Sequence, residues 1–307
     1  MKTILVLTDF SIRAGYAAEF ALQIAINTKA DLLLCHALEL NLTAGSAPEF
    51  SWPVADHLLL KKETIVELKE QQKHLQDLLS RDQEAFKPLI TYTTDYGLLA
   101  QTAENLISVN QIVLVVMGSH KSTGLARFLL GSHTHTVLDK LNCPVLLVPE
   151  SLQFKGIKNI AYATDLTFNN DKVIQYLRQL ARPFHAKITV NHISPLAPPS
   201  EDAKKDDSIL LTEHSTQDTP VYYHYIKSNS IKNSLLDIAG RGQTDVLTLV
   251  HKRYDFFQSL IHNSLSKQLA DNATVPLLVL PYSFSLDENA ITSDELDLFC
   301  VDAGNLR

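Results

Sequence analysis

Short runs of consecutive apolar residues alternate along the chain with stretches in which apolar residues recur at helical spacing. The run from Ile112 to Met117 is apolar throughout, which is typical of a strand covered on both faces of a sheet. In the first half, the pattern predicts strands at 2–8, 31–37, 88–93, 112–117 and 144–148, and helices near 13–28, 56–86, 97–108 and 132–141. In the second half, it predicts strands near 158–164, 186–193, 221–226, 245–250 and 276–280. Such alternation predicts an α/β fold with one parallel, doubly wound, five-stranded sheet in each half.

The same landmarks occur twice in the same order. Asp9 and Asp165 each follow a predicted strand, and a histidine lies 27 residues after each of them, at His36 and His192. A final apolar strand bounded by two prolines closes each half, at 144–149 and 276–281. This repetition indicates a tandem duplication.

The duplication defines the domain boundaries that we predict. One domain spans 1–150 and a second spans 157–283, with a linker at about 150–156. The segment 284–307 carries six acidic residues and one basic residue, and so supplies −5 of the net charge of −7. We expect this acidic tail to be a solvated extension or a short acidic helix, and the functional alternative is a docking peptide.

Composition excludes several classes of function. A hydrophobic fraction of 45% over 307 residues is sufficient for two cores, whereas the net charge of −7 argues against a surface that coats nucleic acid. No apolar stretch reaches the length of a membrane-spanning helix. The three cysteines are far apart and odd in number, which suits a reducing compartment. We therefore expect a cytoplasmic protein without membrane or nucleic-acid partners.

Candidate chemistry lies where strands end, because open parallel sheets bind ligands beyond the carboxyl ends of their strands. Asp9 follows the first strand, Ala37 ends the second, and Met117 and Gly118 lie at the end of the fourth. Gly118 allows close approach of the backbone to a ligand. Ser132 opens the next helix, where its hydroxyl either caps the helix or donates to a phosphate.

These residues resemble the universal stress protein family, and the whole chain resembles a tandem member of it. Nucleotide-binding members show Gly-x2-Gly-x9-Gly-(Ser/Thr), which Gly118, Gly131 and Ser132 fit in spacing. Lys121 stands in place of the second glycine. Its side chain either blocks close approach of the backbone or offers an ammonium to the phosphates. Other matches are Asp9, the segment 35–37 and the closing segment 143–148.

The resemblance implies a Rossmann-like fold that binds ATP or AMP, with or without Mg²⁺, at the strand ends of the first domain. By this resemblance, Asp9 would lie beside the adenosine and Ala37 behind the adenine. Met117 and Gly118 would line the pocket. Gly131 and Ser132 would hold the phosphates, while Lys121 occupies the position of the missing glycine.

The second half departs from the family pattern. Val250, Arg253 and Asn263 replace the three glycines, and Ser264 remains. We expect a degenerate domain that does not bind nucleotide in the same way, although the basic run 251–253 leaves another anion open.

Motifs for other chemistries are absent from the sequence. It contains no His-Glu-x-x-His, Cys-x-x-Cys, Gly-x-Ser-x-Gly or Walker motif, so we predict neither a dedicated metal site nor catalytic residues. His36 and His192 are expected to be hydrogen-bonded structural residues. Cys35 and Cys143 are expected to be unreactive packing residues.

Together these features predict a nucleotide-binding or nucleotide-sensing module of the stress response rather than an enzyme. Nucleotide would order the loop 118–132 and change a surface that an unidentified protein partner recognises. The resemblance also implies pairing of the last strands, at 145–148 and 277–280, as an internal pseudo-dimer that further self-association would extend. Two alternatives remain: a ligand-independent interaction scaffold, and a slow ATP hydrolase that uses His120 or Lys121.

Overall fold

The computed structural model describes residues 2–39, 54–80, 86–119, 132–164, 170–195, 219–240, 242–251 and 275–285. The first half contains strands β1 (Thr3–Leu7), β2 (Asp31–Leu38), β3 (Ile90–Tyr96), β4 (Ile112–Ser119) and β5 (Val145–Pro149). Its helices are α1 (Ile12–Thr28), α2 (Val54–Leu79), α3 (Leu99–Val109) and α4 (Ser132–Lys140). The second half contains β6 (Asn159–Thr164), α5 (Asp171–Ala181), β7 (Lys187–Ser194), β8 (Val221–Lys227), α6 (Ile231–Gly240), β9 (Val246–His251) and β10 (Leu277–Pro281). None of the helices in these ranges is both long enough and apolar enough to cross a membrane.

All the strands form one ten-stranded sheet with the order β3-β2-β1-β4-β5-β10-β9-β6-β7-β8. Neighbouring strands are parallel within each half, which confirms the predicted parallel α/β fold. The halves join where β5 and β10 pair antiparallel, with Leu147 opposite Leu277 and Val145 opposite Val279. The expected pairing of the last strands is therefore confirmed, and the two predicted sheets are continuous. This junction removes one exposed edge from each half.

Helix α1 buries alanines together with the larger side chains of Phe20, Leu22 and Ile24. The Ser11 hydroxyl begins the helix by accepting a hydrogen bond from the Ala14 amide at 3.4 Å. Lys29 ends it in a left-handed conformation, with φ of 53°. The buried alanines between these ends are Ala14, Ala17, Ala18, Ala21 and Ala25.

Apolar side chains fill both faces of the sheet, and each of the two cores draws residues from both halves. One core includes Ile4 and Leu278, and the other includes Leu5 and Val279. The linker also joins the halves, because the ring of Phe154 lies 5.0 Å from that of Phe20 and 6.1 Å from that of Phe184. These shared contacts predict that the halves unfold together.

We expect the two buried cysteines of the first half to resist alkylation in the native protein. Burial raises the pKa of Cys35 and of Cys143 from 9.0 to about 12, and the charge of Asp95 contributes at Cys35. At pH 8 only about 10⁻⁴ of each thiol is then the nucleophilic thiolate. Iodoacetamide followed by peptide mass spectrometry should leave both unmodified in buffer and modify both in guanidinium. Equal rates of modification in the two conditions would contradict this expectation.

Candidate functional site

The strand register brings four of the predicted site residues to the same edge of the sheet. Leu7 of β1 lies opposite Cys35 of β2 and Met117 of β4. Asp9, Ala37 and Gly118 follow these positions by one or two residues, so they share the carboxyl edge with Met117. Two other predicted site residues, Lys121 and Gly131, lie outside the described residues, as does the side chain of Ser132.

The carboxylate of Asp9 is held by the first turn of α1. The backbone amide of Ser11 donates to Oδ1 at 3.1 Å, the Ser11 hydroxyl also donates to Oδ1, and Arg13 Nη2 donates to Oδ2 at 2.5 Å. Partial burial opposes ionisation, but these hydrogen bonds and the charge of Arg13 outweigh it and lower the pKa of Asp9. Asp9 is therefore an oriented, ionised acceptor whose side chain is 48% exposed. Sequence reasoning missed Arg13, although its position four residues after Asp9 was a signal.

Phe10 and His36 form an aromatic pair beside Asp9. The rings stack with centroids 4.7 Å apart, and Phe10 adopts a left-handed conformation with φ of 59°. Such a conformation costs an aromatic residue about 1–3 kcal/mol, so the surrounding contacts must hold it. His36 Nδ1 lies 2.8 Å from the Thr8 carbonyl. Because a carbonyl only accepts, Nδ1 carries the proton and His36 is the hydrogen-bonded residue that was expected.

His192, the counterpart of His36, differs from it. Its Nδ1 is buried and has no hydrogen-bond partner in the described part of the chain, so the expectation of a bonded histidine is wrong for this atom. Its ring lies 5.2 Å from that of Tyr225. The carboxyl edges of the two halves are therefore built differently, even though their strand order is the same.

Gly118 allows β4 to contact the first turn of α1. A Cβ atom at this position would lie 2.8 Å from both the carbonyl carbon and the oxygen of Arg13, and 3.1 Å from the Ala14 nitrogen. On the side where a Cβ would stand, Gly118 therefore contacts protein backbone, and close approach of a ligand to this glycine stays a prediction. Gly118 thus helps to fix the turn that holds Asp9.

Glu39, which follows β2, joins two helix N-termini at the same edge. Its carboxylate accepts a hydrogen bond from the Leu99 amide at the start of α3, at 3.3 Å, and lies 3.3 Å from His133 Nδ1 of α4. The positive end of the α3 dipole is thus already matched by a carboxylate. An anion bound at the start of α4 would therefore lie near a carboxylate.

The corresponding edge of the second half is used for contact between the halves. His251 ends β9, and its Nε2 lies 2.8 Å from the Asp139 carboxylate of α4, with 10% of the side chain exposed. His251 therefore contacts the first half rather than forming part of an open anion-binding loop. Lys252 and Arg253 lie outside the described residues.

Comparison with known proteins gives a consistent result. The sequence model of the Universal stress protein family matches residues 1–149. The chain is 30% identical over 158 residues to universal stress protein MJ0531 of Methanocaldococcus jannaschii, which covers 48% of this chain and 81% of that protein. A solved universal stress protein from Archaeoglobus fulgidus covers 91% of this chain and 96% of its own, with a TM-score of 0.63 at 15% identity. That last likeness concerns the fold and extends over both halves.

Proposed function

The chain belongs to the universal stress protein family, and from this we propose that its first half binds an adenine nucleotide, ATP or AMP, as a sensing module. The observation that supports the proposal is the strand register, which collects Asp9, Ala37, Met117 and Gly118 at one carboxyl edge. That edge is where open α/β sheets bind their ligands.

The described residues fit the nucleoside part of such a ligand. Asp9 is ionised and half-exposed, so its oxygens can accept hydrogen bonds from ribose hydroxyls. Ala37 and Met117 are mostly buried and present small or flexible apolar surface, which suits the face of a base. Ser11 and Arg13 already bond to Asp9, so a ribose must share or replace those contacts.

The phosphates would lie toward the segment 118–132 and the start of α4. By resemblance, Gly131 and Ser132 would hold them, and Mg²⁺, where present, would be carried by the phosphate oxygens. Binding would favour one arrangement of this segment and change the surface that a partner protein recognises. We propose binding without turnover, because the sequence offers no residue set with a recognised role in ATP hydrolysis.

Nucleotide retained during purification tests the proposal directly. Freshly purified protein is denatured, and the released molecules are identified by chromatography and mass spectrometry. About one adenine nucleotide per chain supports a site in the first half. No released nucleotide, together with no ATP or AMP binding by calorimetry, would overturn the proposal and leave the interaction scaffold. Replacing Lys121 with glycine then tests whether this residue marks the loss of the site, because a gain of binding where there was none would mean that the site had been lost.

We expect Asp9→Asn to weaken ATP or AMP binding at least about tenfold, equivalent to about 1.4 kcal/mol. The substitution preserves shape but removes the charge and one acceptor from the ribose contact, and leaves Arg13 without its carboxylate. Calorimetric titration of folded variants measures the effect.

The matched control is Asp77→Asn, which makes the same chemical change at an exposed position of α2. It should bind like the parent protein. Equal affinity of the Asp9 and Asp77 variants would place the nucleotide elsewhere. Phosphate release that depends on metal and disappears in the Asp9 variant would instead support the slow hydrolase.

A further inference from the structure

Arg13 contacts two parts of the proposed nucleotide site. Its Nη2 donates to Asp9 Oδ2 at 2.5 Å, and Asp9 is the residue that we propose to contact ribose. Its backbone packs against Gly118, where an added Cβ would lie 2.8 Å from the Arg13 carbonyl oxygen. Gly118 begins the segment that the motif assigns to the phosphates. Arg13 therefore lies beside both the sugar contact and the start of the phosphate segment.

The stability of α1 does not explain an arginine at this position. Arg13 is the second residue of α1, where the positive end of the helix dipole disfavours a cation. The helix is already capped, because the Ser11 hydroxyl accepts a hydrogen bond from the Ala14 amide at 3.4 Å. Ser11 also holds the Asp9 carboxylate through its amide and its hydroxyl. The charge of Arg13 is thus better explained by the site than by the helix.

A ribose that binds Asp9 has to compete with Arg13. Ser11 donates to Oδ1 of the carboxylate and Arg13 donates to Oδ2, so both oxygens have a partner. Two ribose hydroxyls that donate to this carboxylate draw Oδ2 away from the guanidinium. The Arg13 side chain is only 26% exposed, so water compensates in part for the lost contact. A neutral nucleoside brings no anion to replace it, whereas a nucleotide brings a phosphate.

A phosphate at this edge also needs a cation, because carboxylates surround its approach. Glu39 follows β2, and Asp95 lies opposite Ala37 in the register of β2 and β3. Together with Asp9 they place three carboxylates at the carboxyl edge, and like charges repel. A guanidinium offers five donors in a planar fork that matches a phosphate group. Arg13 can therefore exchange one anionic partner for another.

From these contacts we infer that Arg13 makes the site selective for phosphorylated ligands, because its guanidinium moves from Asp9 to a phosphate of the bound nucleotide. The inference rests on the proposed nucleotide binding, and it assigns specificity to a residue outside the glycine motif. In the second half, Asn169 stands at the corresponding position, four residues after Asp165. The arginine thus accompanies the half that keeps most of the motif.

The test compares AMP with adenosine, which differ only in the phosphate. Both are titrated by calorimetry into the full chain, and the ratio of the adenosine Kd to the AMP Kd is measured. Arg13→Gln should lower this ratio at least about tenfold, because AMP loses a charge-assisted contact and adenosine no longer displaces an ion pair. Adenosine should bind the variant as well as the parent or better. Arg13→Lys keeps the charge, so its ratio should lie between the two.

The matched control is Arg182→Gln, the same change at an exposed arginine of the second half, which should keep the parent ratio. Equal weakening of AMP and adenosine by Arg13→Gln would mean that Arg13 only orients Asp9, and would overturn the inference. So would a variant that keeps the parent ratio. In both cases binding by the parent leaves the proposed function intact. A parent protein that binds neither ligand overturns the proposed function and this inference with it.

Discussion

Replacing Gly118 with alanine is expected to destabilise the protein by about 3 kcal/mol, the upper part of the range for overpacking. The added Cβ would lie 2.8 Å from the carbonyl carbon and oxygen of Arg13, closer than a real Cβ approaches such atoms. These are backbone atoms within the first turn of α1, so no side-chain rotation relieves the clash. Urea unfolding followed by circular dichroism measures the loss.

Gly15→Ala is the matched control for this substitution. Gly15 lies within α1, and a Cβ there would meet no atom within 4 Å. Alanine is favoured over glycine inside a helix, so this variant should be stabilised by up to about 1 kcal/mol. A Gly118→Ala protein as stable as the parent would show that β4 and α1 separate without cost.

The clash at Gly118 also bears on the proposed nucleotide site. The turn that would be displaced carries Ser11 and Arg13, which bond to Asp9. A shift of this turn therefore moves the carboxylate that we propose to contact ribose. The first glycine of the motif then acts through packing, and its loss should affect stability and nucleotide affinity together.

The sequence predicts the strands well because the determining property is local. The run from Ile112 to Met117 is apolar at every position, and the structure places it in β4, between β1 and β5, buried on both faces. Because the strands were predicted to be parallel, Asp9, Ala37 and Gly118 could be assigned to one edge of the sheet before any side-chain contact was known. The phosphate-binding part of the site, at Lys121 and Gly131, stays a prediction.

Contacts between distant parts of the chain were not predicted. The Asp139–His251 pair joins residues 112 apart, and nothing in the local pattern of either segment indicates it. Thr189 and Asn191 alternate with Ile188 and Val190 in a strand that otherwise reads as buried, and only the pairing of β7 with β6 shows that Ala161 lies opposite Thr189.

The largest effect in the second half is expected at the junction of the two halves. Leu278 of β10 is fully buried and lies opposite Leu146 of β5, in a core that contains residues of both halves. Leu278→Ala should therefore lower the free energy of unfolding by about 2–5 kcal/mol through lost apolar contact and the cavity left behind. Because the core is shared, hydrogen exchange should show loss of protection in β2 as well as in β7.

Leu98→Ala is the control for this substitution, since Leu98 is 55% exposed and its truncation should change stability by less than about 0.5 kcal/mol. The informative comparison is between the two halves within the Leu278 variant. Equal loss of protection in β2 and β7 would mean that the ten-stranded sheet unfolds as one unit, with the antiparallel β5–β10 pair transmitting the damage. Protection retained in β2 but lost in β7 would show that the halves unfold separately, and that the shared core contributes little to coupling. In that case a ligand of the first half would stabilise only that half, whereas a coupled sheet lets it raise the stability of both.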